Sequence, residues 1–168
     1  LAYAAHLPDL KSFVPEDALP YVGWFAVARM ATLVAVLERI EQSRGFYNYR
    51  VNEMNRFRVH ARTAAFLEKI VVMQGNGHIL VIAAQLGMRH RGCSTRRSRE
   101  RFVRNEFGLG ALEGASIALM HPERFVRWEQ LQMDLPGGEF DEAGSDVRFD
   151  HAPYFNFNDG KVRFNTDH

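Results

Sequence analysis

An almost continuous apolar run near the N-terminal end is the feature that most restricts how this 168-residue chain can fold. Residues 21–37 read YVGWFAVARMATLVAVL, and only Arg29 and Thr32 interrupt the run. Such a run must be buried, either in a membrane or in a protein core. A membrane-spanning helix needs about 20 apolar residues and tolerates a central charge such as Arg29 poorly. The run therefore predicts a helix buried in a protein core, ending near Gly45 as a left-handed C-cap, and no membrane partner.

The next stretch, residues 46–73, repeats apolar side chains with helical spacing. The repeating positions, three or four residues apart, are Phe57, Ala61, Ala64, Leu67 and Val71. Two long helical stretches joined at a glycine predict an antiparallel helix hairpin.

Beyond this hairpin the patterns become shorter. The sequence Gln-Gly-Asn-Gly at residues 74–77 ends the second helix. Residues 78–86 then predict a buried strand, and residues 111–120 predict a short helix. A His-Pro-Glu sequence at residues 121–123 predicts the start of a further helix.

The C-terminal end has strand-like patterns. Apolar and polar residues alternate at residues 131–135, and residues 154–164 predict two strands around an Asn-Asp-Gly turn. The chain is long enough for one core and short for two. We therefore predict a single α+β domain over residues 1–168, with a helical portion at about 16–130 and a small antiparallel β-sheet in an acidic portion at about 131–168.

Charge is distributed unevenly along the chain, although the formal net charge is only +1. Residues 1–88 carry +2, residues 89–104 carry +6 and residues 105–168 carry −7. Arginine outnumbers lysine by 18 to 3, and arginine favours bidentate contacts with carboxylate or phosphate groups. The chain thus has a basic segment followed by an acidic one.

The basic segment, RHRGCSTRRSRERFVR, predicts a helix that starts at Ser94 or Thr95 and extends to about Phe107. Arg97, Arg101 and Arg104 would share one face of that helix. The opposite, apolar face would carry Phe102, Val103 and Phe107. Because cations are unfavourable at a helix N-terminus, this arrangement indicates a nearby anion.

From this clustering we predict a non-enzymatic protein that binds a polyanion, with nucleic acid as the favoured partner, and its single cysteine predicts an intracellular, cytoplasmic location. The predicted binding residues are Arg89, Arg91, Arg96, Arg97, Arg99, Arg101 and Arg104. No helix-turn-helix, zinc-finger or other nucleic-acid-binding signature accompanies them.

Two alternatives remain open at this point. The basic helix could pair with the acidic C-terminal segment, within one chain or between the subunits of a homo-oligomer, which would make this a structural or assembly protein. Cys93 and Arg99 also have the C-x5-R spacing of cysteine-dependent phosphatases, which would indicate an enzyme acting on phosphate esters. That loop lacks the expected glycines and has Gly92 in place of histidine before the cysteine.

Cys93 is the only cysteine, so the sequence excludes a disulfide within the chain and a CxxC metal site. A lone thiol is typical of a reducing compartment. The seven histidines form no recognised metal-binding motif, and we expect neither a metal nor a cofactor.

Overall fold

The main core lies against one face of a four-stranded mixed sheet formed largely by the C-terminal end of the chain. The computed structural model describes residues 23–28, 32–75, 79–87, 89–127 and 132–168. Its helices are α1 (Leu33–Ser43), α2 (Ala61–Met73), α3 (Thr95–Arg101) and α4 (Ala111–Met120), with a 3₁₀ turn at Met54–Arg56. Its strands are β1 (Gly23–Ala28), β2 (Phe46–Asn48), β3 (Phe57–Val59), β4 (Ile79–Ala84), β5 (Met133–Asp134), β6 (Gly138–Phe140), β7 (Ala152–Asn158) and β8 (Lys161–Asp167).

The four-stranded sheet has the order β2-β8-β7-β5. Strands β7 and β8 form an antiparallel hairpin, β5 pairs antiparallel with β7, and β2 joins β8 in parallel. Two further antiparallel pairs, β1 with β4 and β3 with β6, complete the described strands.

Alternation along β8 explains which face of the sheet is buried. Val162 and Phe164 are fully buried, whereas Lys161 and Asp167 at the strand ends are exposed. On β7, Phe155 lies opposite Phe164, and their ring centroids are 4.9 Å apart. Strands with period-two alternation bury one face in this way.

Helices α1 and α4 pack against each other, and α4 also packs against β7. The threonine at position 32 caps α1 by accepting a hydrogen bond from the Ala35 N–H. Ile40 on α1 and Ala115 on α4 are fully buried. The helical spacing of apolar residues therefore directs both helices onto the same core.

The predicted long helix hairpin is wrong. The apolar run is divided between β1, which pairs with β4, and the first half of α1, so its apolar character reflects a strand followed by a helix. In residues 46–73 only the second half is α-helical. In the first half, Phe46 pairs with Val162, and Phe57 pairs with Phe140 in another sheet. Tertiary strand pairing overrides the helical spacing there. The described helices are all short, the longest having 13 residues.

Three further predictions, concerning Gly45, residues 121–127 and the C-terminal sheet, are also wrong. Gly45 does not have the positive φ expected of a left-handed C-cap, and it lies instead against the backbone of Gly160. Residues 121–127 form turns rather than a helix. The C-terminal sheet is mixed rather than antiparallel because β2 joins it in parallel, and four strands precede residue 131.

The α+β class is confirmed. Strand β4 lies within residues 78–86 and helix α4 covers residues 111–120, as predicted. The C-terminal hairpin is also confirmed and is longer than predicted. The predictions for residues 1–22 and for Leu131 lie outside the described residues. No helix in the described ranges has the length and apolar character needed to cross a membrane.

Candidate functional site

The basic segment forms a turn at residues 89–92 followed by α3, which is shorter than predicted. Ser94 is the N-cap and accepts a hydrogen bond from the Arg97 N–H, as expected of a serine in that position. The helix ends at Arg101 rather than near Phe107 because Phe102 leaves the helical conformation. Its buried side consists of Thr95 and Ser98, two small residues three apart.

The seven predicted arginines separate into two groups. Five are exposed and belong to α3 or its flanks. We call this group the arginine surface, and its members are Arg91, Arg96, Arg97, Arg101 and Arg104. The side chains of Arg96 and Arg97 are 84% and 57% exposed. Both lie near Glu100, at 3.9 and 2.8 Å, so the nearby anion expected at this helix is partly supplied by α3 itself.

The other two arginines support the local fold. Arg89 lies 2.8 Å from Glu106, which also accepts a hydrogen bond from the Val103 N–H. Arg99 is half-buried and donates 2.8 Å hydrogen bonds to the backbone carbonyls of Pro136 and Gly138. Burial lowers the pKa of Arg99.

Glu106, at the start of the acidic segment, pairs with Arg89, but three later carboxylates of this segment pair with arginines outside residues 89–104. Glu139 pairs with Arg58 at 2.7 Å, and Glu142 pairs with Arg50 at 2.6 Å. Asp141 pairs with Arg148 at 2.7 Å within the acidic segment itself. The negative charge of Glu139 raises the pKa of Arg99 and so opposes the decrease that burial causes. These three acids do not cover the arginine surface.

Cys93 lies beside Arg101 rather than Arg99. Its Sγ atom is 3.1 Å from Nη1 of Arg101. The arginine required by the C-x5-R interpretation is held by two carbonyls of the C-terminal segment. This geometry does not favour a phosphatase loop.

A pocket of about 520 Å³ adjoins the arginine surface, and sequence reasoning missed it. Its buried walls include Phe125 and Leu135, which are 5% and 1% exposed. Phe102 and Phe107, the aromatic residues after α3, also line it. The pocket combines segments that are far apart in sequence, so no local pattern indicates it.

Polar side chains are also part of the pocket lining. Arg91 and Arg124 are exposed cations, and Asp134 is an exposed acid on β5. Asp134 as a whole is exposed, but its carboxylate is partly buried, and this burial raises the pKa of Asp134. A 2.6 Å hydrogen bond from Gln132 to Oδ1 opposes that shift, and Asp167 reinforces it. Arg91 and Arg124 thus supply cations beside an interior that includes the buried Phe125 and Leu135.

Among the described residues, no cluster of three or more histidine, cysteine or acidic side chains has a geometry that could hold a metal ion. Comparisons with protein-family models, curated protein sequences and solved structures found no match to this chain.

Proposed function

We propose that this protein binds a polyanion, with nucleic acid as the ligand class, through the arginine surface and without catalysing a reaction. The observation that supports this proposal is the exposure of five guanidinium groups on one short segment whose sequence contains a single acid, Glu100. Guanidinium groups bind phosphate oxygens through paired hydrogen bonds. The proposal is restricted to these five residues because Arg89 pairs with Glu106 and Arg99 donates hydrogen bonds to the carbonyls of Pro136 and Gly138.

Three carboxylates of the acidic segment form ion pairs away from the arginine surface. Glu139, Glu142 and Asp141 each bind an arginine outside residues 89–104. Glu100 offsets only part of the charge of these five arginines, and an exposed cluster with excess positive charge attracts polyanions over a long range. As part of the same proposal, we place the protein in the cytoplasm, because its lone thiol fits a reducing compartment.

Salt dependence of binding tests the proposal directly. Each phosphate neutralised by an arginine releases condensed counterions, so log affinity falls linearly with log salt concentration. Contacts to about five phosphates give a slope of about −4. We would measure binding of labelled single-stranded and duplex DNA by fluorescence polarisation over a range of salt concentrations.

Matched variants assign the binding to the arginine surface. Arg96→Ala and Arg101→Ala should each make the slope shallower by about one. Arg39→Ala removes an exposed arginine from α1, outside the basic segment, and should leave the slope unchanged. Absence of binding at low salt, or equal effects of all three variants, would contradict the proposal.

Self-assembly through the basic and acidic segments is a separate hypothesis, and the structure favours it less. Its acidic partners already form ion pairs within the chain, as Arg50 with Glu142 illustrates. Light scattering over the same salt series distinguishes the two hypotheses, because assembly through these charges requires a mass that decreases as salt increases.

A further inference from the structure

Two residues connect the pocket with the arginine surface. Arg91 belongs to the arginine surface and also lines the pocket. Cys93, a second lining residue, lies 3.1 Å from Arg101 of the arginine surface. A strand whose phosphates contact these arginines therefore passes beside the pocket.

The interior of the pocket suits a planar apolar group. Phe102 and Phe107 form part of its wall, and the buried side chains of Phe125 and Leu135 also line it. Its volume of about 520 Å³ lies within the range of small-molecule sites. Aromatic side chains stack with nucleobases of any sequence, since every base presents a π-face.

From this arrangement we infer that the pocket receives one unpaired nucleobase of a strand whose phosphates contact the arginine surface. The inference rests on the proposed function, because the arginines bring the strand to the pocket. A base within a duplex is stacked on both faces and paired along its edge, so only an unpaired base can enter. The preferred ligand is then single-stranded nucleic acid.

Comparison of a natural strand with an abasic one separates base recognition from phosphate binding. We would measure the affinity of the whole chain for an oligodeoxycytidine of about ten nucleotides and for a stable abasic analogue of the same length. Both strands carry the same phosphates. The natural strand should bind about tenfold more tightly or better, and both should show the salt dependence described above.

Filling the pocket tests its location. Cys93→Phe places a bulky side chain there, with Cys93→Ser as the matched control. Because Cys93 is the only cysteine, reaction of the unmodified chain with N-phenylmaleimide fills the same space without a mutation. Circular dichroism and mass spectrometry would verify folding and labelling. Either change should abolish the preference for bases, so that the natural and abasic strands bind with equal affinity.

The outcomes distinguish the two proposals. Equal, salt-dependent binding of natural and abasic strands overturns the pocket inference and leaves the proposed function intact. A preference for the natural strand that persists after the pocket is filled also overturns the inference, because the base is then recognised elsewhere. No binding of either strand at low salt overturns both.

Discussion

Nη2 of Arg50 lies 2.6 Å from Oε2 of Glu142, joining the turn after β2 to the acidic segment 92 residues later. The same guanidinium contacts Glu53 at 3.0 Å and stacks over the ring of Phe140, with its Cζ atom 4.6 Å from the ring centroid. The Arg50 side chain is only 16% exposed. The acidic segment is therefore held by an arginine at the boundary of the core, outside the arginine surface.

Replacement of Arg50 by alanine should destabilise the protein by about 2 kcal/mol. It removes charge-assisted hydrogen bonds to Glu53 and Glu142 and leaves two partly buried carboxylates without this partner. Urea unfolding would measure the free energy of unfolding. Arg148→Ala is the control, because the Arg148 side chain that pairs with Asp141 is 76% exposed and such surface pairs contribute little. Equal unfolding midpoints for the two variants would contradict this role of Arg50.

Gly108, before α4, and Gly137, before β6, allow two segments of the backbone to cross in close contact. A Cβ atom on Gly137 would lie 2.1 Å from the carbonyl oxygen of Gly108, which is backbone and cannot move aside cheaply. Gly137 also donates a 2.8 Å hydrogen bond to the Leu109 carbonyl and accepts a 2.9 Å hydrogen bond from the His60 N–H. This crossing positions Pro136 and Gly138, the acceptors of Arg99, and so links the crossing to α3.

Gly137→Ala should accordingly destabilise the protein by about 3 kcal/mol, as overpacked backbone contacts do. Gly144→Ala provides the comparison. Gly144 has a φ of +82° but open space around it, so only the left-handed conformation is penalised, by about 1 kcal/mol. Thermal or urea unfolding of both variants measures the difference. A smaller loss for Gly137→Ala than for Gly144→Ala would show that the crossing can relax.

Local signals predicted some elements well. Asp159 and Gly160 both have positive φ, which is the conformation that an Asn-Asp-Gly hairpin turn favours, and β7 and β8 flank them as expected. Helix α4 is likewise encoded by a short apolar segment after Gly110. These elements depend on neighbours in sequence, so the sequence alone indicates them.

The predicted helix hairpin is wrong because strand pairing between segments far apart in sequence decides the structure there. Phe46 belongs to a strand only because Val162 lies beside it, and no pattern within residues 46–73 contains that information. The same limit applies to the site. The sequence identified the arginines as a group, but only tertiary contacts separate the exposed Arg97 from Arg99, whose acceptors lie 37 and 39 residues away.

Glu113 on α4 should make stability depend on pH. The residue is 4% exposed, and burial raises the pKa of its carboxyl, although N–H groups of Glu113 and Gly110 partly oppose this shift. A carboxyl with a raised pKa binds its proton more tightly in the folded state than in the unfolded state. Its contribution to stability is therefore greatest below the ordinary glutamate pKa of about 4.3 and is lost as pH rises through the raised value.

Glu113→Gln isolates this effect, because the amide oxygen can still accept the 2.9 Å hydrogen bond from the Gly110 N–H but does not titrate. The free energy of unfolding of the wild-type protein minus that of the variant should fall as pH increases from about 4 to neutrality. Urea unfolding at several pH values gives this difference. A difference that is constant or rises with pH would mean that the folded-state pKa is not raised.

Arg97 and Arg99, two positions apart on α3, should respond to alanine substitution in opposite ways. Arg97 is exposed and pairs only with Glu100 among the described residues, so Arg97→Ala should leave stability unchanged and make the salt slope of DNA binding shallower by about one. Arg99→Ala removes two hydrogen bonds to backbone carbonyls and should destabilise the fold by about 2 kcal/mol. At temperatures where both variants are folded, Arg99→Ala should keep the wild-type slope. If it instead makes the slope shallower to the same extent as Arg97→Ala, then Arg99 contacts phosphate, and its hydrogen bonds to Pro136 and Gly138 must break when the polyanion binds.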